Sequence, residues 1–132
     1  MQTLKWLSII FVAIVLLSLA VAASWILTET ALQATSGEAF CASCHTMKRF
    51  AATYAEDVHG GNNPKGLTAR CADCHLPHDG QTRYLVAKAK TGAYDLWAEV
   101  VAVFKEPDWV GKLGRRESFV YDSGCLKCHA RL

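Results

Sequence analysis

Three pentapeptides fix most of what this chain can become. Cys41-Ala-Ser-Cys44-His45, Cys71-Ala-Asp-Cys74-His75 and Cys125-Leu-Lys-Cys128-His129 share the pattern C-x-x-C-H and together use all six cysteines. In this pattern two thiols add across the vinyl groups of a haem while the neighbouring histidine reaches the iron. Zinc sites pair their C-x-x-C knuckles into four-ligand centres, which three copies with a trailing histidine fit badly. A bridge inside C-x-x-C is a redox device, not a structural staple. The pattern therefore predicts three covalently bound haem c groups, attached through Cys41, Cys44, Cys71, Cys74, Cys125 and Cys128. Intervals of 30 residues from Cys41 to Cys71 and 54 from Cys71 to Cys125 exclude a solenoid repeat.

With 132 residues the chain allows one modest domain, and much of its 52% hydrophobic content sits at the amino end. Trp6 to Leu27 is a run of 22 residues without a charge, broken only by Ser8, Ser18 and Ser24. About 20 apolar residues cross a bilayer as a helix, and Trp6 and Trp25 sit where aromatic rings favour the interface. Ala20-Val21-Ala22 has the look of a signal cleavage site. The apolar run nevertheless exceeds a signal core of about 7–15 residues and continues through Trp25-Ile26-Leu27, so a retained anchor is expected. Lys5 and the amino terminus precede the span, which places them in the cytoplasm by the positive-inside rule. The rest of the chain then lies on the periplasmic side of the bacterial inner membrane, where c-type haems are attached. The expected organisation is a single-pass anchor over 1–30 and a periplasmic multihaem domain over 31–132.

The expected fold class is mainly α: one transmembrane helix and a small haem-packed domain of short helices and loops, with the haem faces supplying most of the apolar core. His59 to Gly66, HGGNNPKG, is turn material. The clearest helix runs from Thr82 to Lys105 and is ended by Pro107, with Leu85, Ala89, Leu96, Val100 and Phe104 forming one apolar stripe. Glu106 to Gly114 reads as a loop whose Trp109 either tucks inward or touches a membrane surface. Tyr84, Lys88 and Asp95 share another face of the long helix. By residue type alone they read as a solvated face, in company with Lys90 and Glu99. A formal net charge of +2 gives no reason to expect a nucleic-acid partner.

Three six-coordinate irons need six axial ligands, and the chain has five histidines. His45, His75 and His129 belong to motifs, leaving His59 and His78. At least one iron is therefore methionine-ligated, open on one side, or completed by another protein. Met47 is the only methionine besides the initiator. His59 is the better distal ligand, because its glycine-rich segment can fold across a haem. His78, three residues past His75, is the weaker candidate and suits a hydrogen bond to backbone or a propionate.

An apolar span, C-x-x-C-H-x-M, a histidine in a Gly/Asn-rich stretch, and His75-Leu76-Pro77-His78 closing the second motif together resemble the NapC/NirT family. These are membrane-anchored multihaem cytochromes c that oxidise quinol, and the likeness is greatest to the small anchor subunits of cytochrome c nitrite reductase complexes. The resemblance implies that Met47, in place of His45, ligates a high-spin first haem near the membrane. It also puts Lys88 and Asp95, with Tyr84 less firmly, beside that haem and a quinol pocket, which reverses the solvated-face reading. The implied activity is oxidation of menaquinol or ubiquinol, with electrons passed to a periplasmic multihaem or other reductase or carrier. The chain would be an electron-transfer subunit with quinol dehydrogenase activity, embedded in the lipid bilayer. A passive conduit in a larger complex is the alternative. A haem enzyme reducing a small oxyanion is disfavoured, since no His, Arg or Lys cluster surrounds one motif. Family members carry a fourth motif and a further histidine; there the loop histidine matching His59 serves the fourth haem. Here the sequence reads Ala130-Arg131-Leu132 after His129, as expected of a three-haem form, one half of a split protein or a truncated product.

Overall fold

A computed structural model describes residues 2–112, 114 and 118–129. In order the helices are α1 (Gln2–Ala34), α2 (Glu38–Cys41), α3 (Lys48–Ala55), α4 (Cys71–His75), α5 (Gln81–Ala102), α6 (Trp109–Lys112) and α7 (Asp122–Cys128). Among the described residues extended pairing is limited to an isolated antiparallel bridge between Gly60 and Thr68. The class is therefore mainly α. The chain divides into two units, Met1–Thr35 and Ser36–Leu132.

The first unit is α1. It is the one helix among the described residues long and apolar enough to cross a membrane. Its few hydroxyls are absorbed by its own backbone: Ser18 donates to the Ile14 carbonyl, Thr28 to Ser24 and Thr30 to Ile26, each at 2.8 Å. Such back-bonding satisfies these hydroxyls within the helix, as a hydrocarbon surrounding requires.

The second unit is organised where α4 meets α7. Gly124 sits so close to α4 that a β-carbon there would lie 2.1 Å from the Asp73 carbonyl oxygen. The Tyr121 N–H donates to the Cys74 carbonyl at 3.0 Å, and the His78 N–H to Ser123 Oγ, also at 3.0 Å. Around this seam lie most of the buried residues: Ala72, Asp73, Leu76, Pro77 and Gly124, with the Ala72 N–H donating to the Ser36 carbonyl oxygen.

Two expectations need correction. The long helix is present, but its apolar stripe is not its inward face. Leu96 is 68% exposed and Phe104, beyond the helix end, 85%. The half-buried positions are instead Tyr84, Ala87, Lys88, Thr91, Ala98, Glu99 and Ala102, a face of small and polar residues. The expected loop after it contains the single turn of α6, held because Trp109 meets the edge of Phe50 on α3 with ring centres 5.1 Å apart. Arg49 and Lys112 both lie over that indole, at 5.7 and 5.8 Å.

Candidate haem sites and the polar face of α5

The three motifs begin on three short helices, and His45 and His129 lie just past their helix ends. Cys41 ends α2, Cys71 opens α4, and Cys125 and Cys128 lie in α7. All six thiols are free. Burial, and then the adjoining Cys71 thiol, push Cys41 up to about 11, although Lys88 pulls the other way. Burial also raises Cys74, followed by the fields of Cys125, Asp73, Cys128 and Cys71. Thiols of this kind stay protonated, unlike the low-pKa thiolates of redox C-x-x-C pairs or zinc knuckles. Among the described residues no group of three or more His, Cys, Asp or Glu side chains is placed to hold a metal ion directly. The donor set thus fits thioether attachment of haem and fits bare metal badly. It also sets a neighbour order, with the first motif touching the second through Cys41 and Cys71 and the second facing the third through Cys74.

The histidines divide by what their ring nitrogens do. His75 Nδ1 lies 2.7 Å from the Phe119 carbonyl oxygen, which directs Nε2 away from the backbone as an axial ligand needs. His78 turns Nε2 onto the Ala72 carbonyl at 3.1 Å, with its ring 5.5 Å from that of Tyr84. His59 Nδ1 lies 3.2 Å from Asp57 Oδ1, and the ring stands 6.1 Å from the ring of His129.

His45 is gripped by a residue that sequence reasoning left in the background. Glu99 accepts the His45 N–H at 2.7 Å and the Thr46 hydroxyl at 2.6 Å, and it pairs with His45 Nδ1. One carboxylate therefore fastens the turn that carries His45 to α5. Met47, half-buried, follows as the residue before α3. Glu99 lies one turn past Asp95 on the face already singled out, but no spacing in the sequence ties it to His45, 54 residues away.

The remaining groups of this face converge near Cys41. Lys88 Nζ donates to Ser36 Oγ at 2.9 Å and lies 6.0 Å from the centre of the Tyr84 ring. The Tyr84 hydroxyl is 3.4 Å from the same Ser36 oxygen. Ser36, 2% exposed, was not foreseen. Burial raises the Asp95 carboxyl above its ordinary value, with His75 partly offsetting the effect. Lys88 and Asp95 both act on the Cys41 thiol electrostatically, the lysine lowering and the aspartate raising its affinity for the proton.

The NapC/NirT cytochrome c family, N-terminal region, matches residues 2–132. The chain is similar to the tetraheme c-type cytochrome CymA of Shewanella oneidensis, with 32% identity over 114 residues covering 80% of this chain and 59% of that protein. It is also similar to the cytochrome c-type protein TorY of Escherichia coli O157:H7, at 42% over 78 residues, or 59% of this chain and 20% of the relative. The chain thus spans well under two thirds of these curated relatives. Among solved structures, a chain of the cytochrome c nitrite reductase NrfHA complex bound to the HQNO inhibitor aligns with a TM-score of 0.61 and 25% identity, covering 88% of this chain and 73% of that one.

Proposed function

This chain belongs to the NapC/NirT cytochrome c family, and from that premise we propose that it oxidises membrane quinol and passes the electrons through three haems to a periplasmic reductase or carrier. Family membership implies haem c held through the C-x-x-C-H cysteines. We place the amino terminus in the cytoplasm and the haem domain in the periplasm.

The observation that carries the reading is the cluster of Lys88, Tyr84 and Ser36 on this face of α5, whose lysine, with Asp95, bears electrostatically on the Cys41 thiol. Oxidation of quinol releases two electrons and two protons. Haem iron takes up electrons singly, so protein groups must handle the protons. The Lys88 ammonium, fixed by Ser36, can donate a hydrogen bond to a quinol oxygen. Asp95, with its affinity for protons raised by burial, can accept one from a quinol hydroxyl and release it to solvent. Glu99 fastens the turn of His45 and Thr46 to α5, next to Met47, and the choice of Met47 to hold the first haem's iron follows from the family resemblance.

The test is reduction of the detergent-solubilised holoprotein by a menaquinol analogue. Asp95→Asn should slow quinol-driven haem reduction by about 10²-fold while dithionite reduction stays intact. The wild-type rate should fall as the pH drops through the raised Asp95 pKa, because only the carboxylate accepts a proton, and the variant should lack that limb. An unchanged rate in Asp95→Asn overturns the assignment.

A further inference from the structure

We propose that His59 and His129 are the two axial ligands of one iron, that of the haem carried by Cys125 and Cys128. The third haem is then a bis-histidine centre closed within this chain. The inference rests on the haem reading above and departs from the family resemblance, under which the loop histidine serves a fourth haem.

The rings of His59 and His129 come from positions far apart in sequence, yet their centres are 6.1 Å apart and their planes cross at 79°. With a metal–imidazole nitrogen bond of about 2 Å and a further ~1.1 Å to the ring centre, two imidazoles on opposite faces of one iron place their centres about 6 Å apart. An edge-to-face aromatic pair falls in the same range, so distance alone does not separate the two. The surroundings of His59 do. Its Nδ1 is turned to Asp57 Oδ1 at 3.2 Å, the carboxylate partner that fixes the tautomer and aim of a ligating imidazole and leaves Nε2 for the metal.

The backbone beneath His59 is braced as a ligand arm. The His59 N–H donates to the same Asp57 oxygen at 2.8 Å, and its carbonyl accepts the Ala69 N–H at 2.8 Å. The Tyr54 hydroxyl lies 2.6 Å from that carbonyl and 2.5 Å from the carbonyl of Ala69. Gly60 is packed so tightly that a β-carbon would fall 1.8 Å from the Tyr54 carbonyl oxygen. Asn63 closes the loop by donating to the Val58 and Leu67 carbonyls at 2.8 and 2.7 Å. Ala69 lies two residues before α4, against which α7 packs, and the His129 N–H, just past α7, donates to the Cys125 carbonyl at 2.8 Å.

The experiment uses the haem-loaded full-length protein in its ferric state, read by low-temperature EPR and near-infrared magnetic circular dichroism. Wild type should show a bis-histidine low-spin haem, with the highly anisotropic EPR signal that crossed imidazole planes produce. His59→Ala should convert one haem equivalent from low to high spin, and added imidazole should restore the low-spin signal. His59→Ala spectra that match wild type would sink the proposal. If that variant fails to accumulate, wild type still decides: absence of any bis-histidine band refutes the pairing. Mass spectrometry of the Cys125–Cys128 peptide separates the two layers. A peptide without haem refutes the haem reading itself, whereas a haem-bearing peptide with unaltered His59→Ala spectra refutes only the pairing.

Discussion

Asp73 shows how much a single side chain inside a haem motif can do. It lies between Cys71 and Cys74, and its carboxylate takes Lys127 Nζ at 2.6 Å and the Arg70 N–H at 2.8 Å. Burial pushes the carboxyl up, but the Lys127 bond and the Arg70 N–H together outweigh it and hold the group at about 2, below its ordinary 3.8. A carboxyl depressed in the folded state contributes stability that is complete above about pH 5 and is lost as the pH falls toward the folded value. The shift corresponds to about 2 kcal/mol, of which solvent screening of a partly accessible pair leaves ~1 kcal/mol. Lys127→Met should therefore lower the melting temperature of the holoprotein by a few degrees at neutral pH, with the deficit shrinking as the pH nears 2. Haem absorbance during a thermal ramp at several pH values measures it. No sequence signal announces this pair, because its members lie 54 residues apart and meet only when α7 docks. Glu99 and Ser36 were obscure for the same reason, each acting across more than 50 residues, on His45 and Lys88. The C-x-x-C-H motifs stand out in the sequence because their spacing is local and not set by tertiary contacts.

At the level of elements, contacts between helices matter more than helix propensity. The α4–α7 seam depends on Gly124, where an added methyl would press on the Asp73 carbonyl, a backbone atom with little freedom to move. Gly124→Ala should cost about 1–3 kcal/mol through overpacking. Gly92, within α5 and with nothing in reach of an added β-carbon, makes the contrast. Gly92→Ala should stabilise by about 0.5–1 kcal/mol, since it removes backbone freedom from a helix interior. Denaturant titrations of the two variants check both signs, and a tolerated Gly124→Ala would show that the seam is not close-packed. The presence and start of α5 were readable from periodicity, but the helix stops at Ala102, before the Lys105 expected from Pro107. Which face turned inward was not readable, because a period of 3.6 locates a stripe without saying what lies against it. The segment HGGNNPKG was correctly read as irregular, yet composition hid the Asn62 and Asn63 side-chain bonds that make it a braced loop instead of a flexible one.

For the whole molecule, three motifs in a sequence say nothing about which neighbours which. The Cys41–Cys71 contact and the field of Cys125 and Cys128 at Cys74 set the second motif beside both of the others. An ordered path has a direction only if its first member is near quinol and its last near the acceptor, which makes membrane orientation the decisive property. α1 has 33 residues and so extends about 50 Å, against a hydrocarbon core of about 30 Å. The uncharged stretch from Trp6 to Leu27 covers about 33 Å of that length, which leaves Glu29 and the last helical turn outside the apolar layer. With Lys5 as the charge before the span, the amino end should stay in the cytoplasm and the haem domain should cross. Protease added to spheroplasts should then digest the domain that begins at Ser36, whereas inside-out vesicles should protect it. Alkaline carbonate should leave the chain in the membrane fraction, because a helix with no unsatisfied backbone groups has no reason to leave lipid. Protection in spheroplasts with digestion in inside-out vesicles would reverse the topology. That result would remove the haem motifs from the periplasmic side, and the electron path proposed above could not stand.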